Sequence, residues 1–180
     1  LLRHAVSDAD AAQSVEVPAL EGSAGALGVA RTLARPRAYQ LELLLWSLLE
    51  SRVIAFLPTG TGKTLVAALA LGTLSAASPR KRAAFLVDKV PLLHQQADAL
   101  RRETGLEVVA LSGETRNRHA LLQQPFEVLA ATAQVFVDCV RRGELDIAQF
   151  SILVIDEVHH CTGQHPFAQL AIDLRGCPEA

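Results

Sequence analysis

The chain has 180 residues, half of them hydrophobic and a fifth charged, which excludes disordered and fibrous classes and allows one well-formed core. Seventeen Lys and Arg against nineteen Asp and Glu leave a formal net charge of −2, so any nucleic-acid contact must use local patches and backbone amides rather than an overall basic field. The longest apolar run, Leu65 to Leu74, is interrupted by Gly72 and Thr73 and is far shorter than the roughly 20 residues of a membrane span.

Residues 1–34 are rich in Ala, Ser and Gly, with "EGSAGALG" at Glu21 to Gly28, and carry no sustained period of 2 or 3.6. They are expected to form a flexible leader ahead of a domain over 35–180. The chain starts Leu1-Leu2-Arg3 and contains no methionine, so it reads as a piece of a longer protein. From Arg35 the pattern changes. Leu41, Leu44, Leu45, Leu48 and Leu49 recur at helical spacing after Pro36, predicting a helix over 36–50 with Pro36 in its first turn.

Five short apolar runs then read as buried strands: Val53–Leu57, Ala83–Val87, Glu107–Leu111, Phe126–Ala130 and Ser151–Ile155. Helical stretches separate most of them, and the breakers stand between: Pro79, Pro91 opening "PLLHQQADALRRE", Pro125, and Gly143 ending "AQVFVDCVRR". Strands alternating with helices predict an α/β fold, a mostly parallel sheet with helices on both faces.

The first chemical signal is "FLPTGTGKT", Phe56 to Thr64, between the first strand and the helix starting at Lys63. A loop at such a junction directs successive N–H groups and the positive end of a helix dipole at a phosphate chain. Thr59, Gly60, Thr61 and Gly62 form the loop, and the two glycines leave room for oxygen to approach the backbone. Lys63 can reach β- and γ-phosphates, and the Thr64 hydroxyl can ligate magnesium. The usual phosphate-loop pattern asks for glycine where Leu57 stands, but that position ends the strand, away from the phosphates. An ordinary Gly-rich turn explains the glycines alone. It does not explain Gly-Lys-Thr at the head of a helix.

The second signal is Ser151-Ile152-Leu153-Val154-Ile155-Asp156-Glu157, four consecutive aliphatics running into two carboxylates. Ligands of open parallel sheets bind beyond the carboxyl ends of the strands, where both Asp156 and the Lys63 loop would lie. Ninety-three positions separate Lys63 from Asp156 (156 minus 63), ample for the intervening strand and helix units. Asp156 would hold Mg²⁺ and Glu157 would orient and deprotonate water. Alone, such a pair is more often a solvated strand exit; with the loop it becomes a nucleotide site. The neighbouring His159, His160, Cys161 and His165 lack the two spaced ligand pairs of a zinc centre. Cys139, Cys161 and Cys177 form no C-x-x-C pair and read as reduced thiols of an intracellular protein.

Asp156-Glu157-Val158-His159 is a D-E-x-H box, and together with "PTGTGKT" it resembles motifs II and I of superfamily 2 helicases, whose phosphate loop commonly lacks the early glycine. "PRAYQ", with Arg37, Tyr39 and Gln40, resembles the family's adenine-reading Q motif. "FLVDKVPLLHQQ" resembles motif Ia, "LSGE" the contact after it, and "ATAQVF" motif Ib. Over about residues 35 to 171 the run is most similar to Dicer and its RIG-I-like relatives, with Val158 where many of those have cysteine or alanine.

The resemblance implies the first RecA-like P-loop NTPase domain of an ATP- and Mg²⁺-dependent motor, incomplete at its C-terminus because Ala180 precedes motif III. It implies nucleic-acid backbone contacts at Lys89, Gln95, Gly113, Thr132 and Gln134, and a coupling role for His159. The implied partners are double-stranded RNA and a second RecA-like domain of the full-length chain, with the fragment alone inactive and the protein in cytoplasm, nucleus or both. DNA translocases, including branch-remodelling and restriction-type motors, share these motifs, and a nucleotide-gated RNA sensor is the other open reading. The basic turn Arg80-Lys81-Arg82 could add phosphate contacts, although a solvated loop explains it better.

Overall fold

The computed structural model describes residues 4–5, 35–160, 165–168 and 170. Apart from His4 and Ala5, the expected leader lies outside the described residues, as do Cys161 and Cys177.

Four parallel strands form the sheet in the order β4-β5-β3-β6, where β3 is Arg82–Val87, β4 Val108–Leu111, β5 Val128–Thr132 and β6 Phe150–Ile155. Their boundaries follow the apolar runs within one or two residues. β5 begins two residues later than expected because Phe126 is buried beside the sheet, under the Arg82 guanidinium 4.0 Å above its ring. The ladder instead continues to Thr132, opposite Val87.

β3 shows why the runs are continuous rather than alternating. Ala84 and Leu86 face a cluster with Leu129, Ala131, Phe136 and Phe150, whereas Ala83, Phe85 and Val87 face Ala68, Leu71, Leu93, Ala97 and Leu100. Successive side chains leave opposite faces of a strand, and both faces are covered, so neither parity can be polar. Helices α2 (Lys63–Ala77) and α3 (Val90–Thr104) cover one face, and α5 (Ala133–Arg141) covers the other. A short α4 spans Arg118–Leu122.

Two expectations are corrected at the start of the domain. Helix α1 runs Ala38–Leu49, so Pro36 lies ahead of the N-cap Arg37 rather than in the first turn. The buried strand expected over Val53–Leu57 is reduced to β2, Ala55–Phe56, which among the described residues pairs in parallel with β1, His4–Ala5, and not with the main sheet. Phe56 is 74% exposed, with Val53 and Ile54 also exposed. Apolar composition permits burial, but a covering layer is what produces it, and no described element covers this segment. Leu57 alone turns inward, packing with Tyr39, Leu43 and Val66.

Candidate active site

Pro58 to Gly62 link β2 to α2 in a loop held by its own polar groups and by α1. The Thr61 hydroxyl donates to the Pro58 carbonyl at 2.7 Å. Tyr39 Oη and Gln40 Nε2 both donate to the Thr61 carbonyl, the latter at 3.1 Å, while Gln40 Oε1 accepts from the Arg37 N–H at 2.8 Å. Gly60 and Gly62 are left-handed, at φ +82° and +85°. The positive φ favours glycine at Gly62, and a Cβ there would stand 2.6 Å from Gln40 Nε2, so that amide would have to shift away from the loop it supports. Of Arg37, Tyr39 and Gln40, expected to read a base, the buried Tyr39 and Gln40 are thus brought to the loop, whereas Arg37 is exposed and joins through its backbone N–H to Gln40.

At the other end of the site, Asp156 leaves β6 with its N–H still donating to the Leu86 carbonyl of β3 at 2.9 Å. Its Oδ1 accepts from the Glu157 N–H at 3.0 Å, and Glu157 turns into the left-handed region at φ +52°. A non-glycine residue at positive φ is a strained position of the kind that re-aims a side chain. Here Glu157 lies between two nitrogen groups: Oε1 is 3.6 Å from Lys63 Nζ, and Oε2 is 3.1 Å from His159 Nδ1. Residues from two distant parts of the chain therefore meet at one rim. Burial and the Glu157 charge push the Asp156 carboxyl above its ordinary range, partly offset by the Glu157 N–H, Lys63 and His159.

The expected nucleic-acid residues divide. Lys89 is the exposed N-cap of α3, Gly113 is exposed after β4, Thr132 ends β5, and Gln134 is exposed in the first turn of α5, where it donates to Asp138 at 2.9 Å. All lie at or just beyond the carboxyl ends of strands in the sheet that carries Asp156, although Thr132 is buried. Gln95 instead lines a cleft of about 280 Å³ with Gly62, Thr64 and Gln96, beside the phosphate loop. Arg80-Lys81-Arg82 sits at the amino end of β3, remote along the strand from that rim.

Two polar contacts escaped the sequence reading. Thr64 Oγ1 donates to Gln96 Oε1 at 3.0 Å. His165 accepts at Nδ1 from the Phe167 N–H, 3.3 Å, which leaves Nε2 to donate to Asp88 Oδ1 at 3.0 Å. Both join residues 32 and 77 positions apart. Separations of that length leave no local spacing signal in a sequence.

A parallel sheet whose carboxyl rim unites a Gly-Lys-Thr loop with an Asp-Glu-x-His turn defines the first RecA-like domain of a superfamily 2 helicase. Residues 33–175 match the family described as "Type III restriction enzyme, res subunit", and the chain belongs to that family. It is 35% identical over 159 residues to Dicer-like protein 1 of Pyricularia oryzae, covering 80% of this chain and 10% of that protein. It is 33% identical to Endoribonuclease Dicer of Danio rerio, covering 79% of this chain and 8% of that protein. The Hef helicase domain of Pyrococcus furiosus superposes with a TM-score of 0.67 at 26% identity, covering 78% of this chain and 30% of that one. The chain thus spans a tenth or less of the length of those Dicer proteins.

Proposed function

We propose that this domain is the ATP-binding half of an ATP-hydrolysing motor that acts on double-stranded RNA, within a Dicer-like protein. The observation that carries the reading is the meeting of Lys63 and Glu157 at 3.6 Å beside Asp156, an ammonium and two adjacent carboxyl groups at one rim. Similarity to Dicer-like proteins supports RNA as the track.

The donor set fits a small hard cation: the Thr64 hydroxyl and the Asp156 carboxylate are oxygen ligands of the kind Mg²⁺ takes. Burial first, and then the Glu157 charge, raise the proton affinity of Asp156, and a cation bound beside the carboxylate would favour its ionised form. Thr64 and Asp156 would hold Mg²⁺ when ATP is bound, and the ion would supply charge neutralisation for the phosphates. Lys63 exchanges Glu157 for the phosphates. Glu157, released, orients the attacking water and takes its proton, with His159 on its second oxygen tying that carboxylate to the rest of the protein. Gly60, Thr61 and Gly62 with Thr59 cradle the phosphates, while Tyr39 and Gln40 hold the loop and, with Arg37, border the base. Lys89, Gly113, Thr132 and Gln134 follow the strand ends where a nucleic-acid backbone would lie; contacts of this type read backbone shape rather than sequence.

A second RecA-like domain of the longer protein completes the site, and the 180-residue chain alone turns over ATP negligibly. In the full-length protein, Lys63→Ala should abolish tight ATP binding. Glu157→Gln should bind ATP and lose turnover by about 100-fold or more, the scale of a lost general base. Wild-type turnover in Glu157→Gln would remove the base assignment. The restriction-enzyme family match favours a second reading, a duplex-DNA motor; ATPase stimulation by duplex DNA but not duplex RNA would establish it against the first.

A further inference from the structure

A hydroxyl carries one proton and two acceptor lone pairs, so where Thr64 sends its proton decides what it offers a cation. The proton goes to Gln96: Thr64 Oγ1 donates to Gln96 Oε1 at 3.0 Å. With that proton engaged, no O–H points at the phosphate side and the lone pairs are left for a metal. Gln96 is itself well anchored. Its helix, α3, buries Leu93, Ala97 and Leu100 completely against the sheet, so the backbone that carries the amide cannot drift without disturbing the core. The amide is partly buried and lines the cleft shared with Gly62, Thr64 and Leu65.

We propose that Gln96 is a positioning residue for the nucleotide-bound divalent cation. Its carbonyl fixes the rotamer and proton of Thr64, as outer partners of metal ligands generally do. Because α3 begins immediately after its N-cap Lys89, the same hydrogen bond joins the cation site to the helix that opens at a candidate nucleic-acid contact. This inference rests on the assignment of Thr64 as a cation ligand made above.

Equilibrium binding of a fluorescent ATP analogue to the full-length protein, at a series of Mg²⁺ concentrations and in EDTA, tests it without relying on turnover. In Gln96→Leu, which cannot accept a proton, the Mg²⁺ concentration giving half-maximal enhancement should rise about tenfold, the lower end of the range for a lost outer partner. Affinity in EDTA should stay at the wild-type value. Gln96→Glu can only accept, and should need no more Mg²⁺ than wild type. Gln96→Asn, too short to reach, should follow Gln96→Leu and stands in for it if the leucine variant folds poorly. A wild-type Mg²⁺ requirement in both Gln96→Leu and Gln96→Asn would overturn the proposal. So would an equal loss of affinity in EDTA, which would mark a merely structural role. If Mg²⁺ fails to strengthen binding to the wild-type protein itself, the Thr64 assignment falls first.

Discussion

Gly60 and Gly62 look equivalent in the string "TGTGKT", yet their surroundings set them apart. Both sit near φ +80°, where an L side chain costs about 1–2 kcal/mol. Only Gly62 also faces an obstacle: a Cβ there would press on Gln40 Nε2, whereas the space beside Gly60 is open. Gly62→Ala should therefore lower stability by more than the roughly 1–2 kcal/mol expected for Gly60→Ala, measured by denaturant unfolding of the two variants. Equal losses would mean that Gln40 gives way freely and does not brace the loop. Cys139 is a second residue whose behaviour follows from its surroundings. Burial, helped by Glu144 at 3.4 Å, raises its thiol to about 11. The neutral form is favoured in the fold, so this contribution to stability is present below the ordinary thiol range and is lost as pH rises toward 11. Mass-mapped alkylation at pH 8 should label Cys139 only when the protein is unfolded; rapid labelling of the native protein would contradict the burial.

Between α3 and β4 the chain manages an exposed sheet edge. Gly105, at φ +65°, ends α3 in the left-handed conformation that lets the chain reverse. Arg101 then reaches across the turn, and its Nε and Nη2 donate to the Val108 carbonyl at 3.0 and 2.6 Å while Nη1 holds Asp98 at 2.7 Å. β4 is the outer strand of the sheet, and an unpaired edge carbonyl is a template for another strand. Arg101 occupies it. Arg101→Ala should cost about 1 kcal/mol, because charge-assisted bonds are lost but the freed carbonyl can reach water. Thermal unfolding would measure that cost, and Arg101→Lys should recover only part of it because a single ammonium lacks the fork. Full recovery by lysine would mean charge alone matters.

At the scale of the whole chain, apolar surface gathers where the domain begins. Leu49 is 77% exposed, Leu45 52% and Phe56 74%, and β6 forms the other outer strand of the main sheet. Surface of this kind drives association. The 180-residue chain should self-associate with rising concentration in light scattering, and Leu49→Lys with Phe56→Ser should diminish it. Unchanged association in that double variant would place the contact elsewhere, such as the strand edges.

The strands of the main sheet and the two short motifs were legible in the chain as written. Aliphatic runs marked the four strands of the main sheet because a strand covered on both faces has no polar parity, and Gly-Lys-Thr and Asp-Glu-x-His stood out because phosphate and metal chemistry restricts residue types at short spacing. Contacts between distant segments had no such signature. The strand order β4-β5-β3-β6, the exposure of Phe56, and the pairing of Thr64 with Gln96 and of Asp88 with His165 depend on which surfaces the packed elements bring together. Spacing along a chain carries information over a helical turn or a strand's pleat, and beyond that only the completed packing chooses a partner.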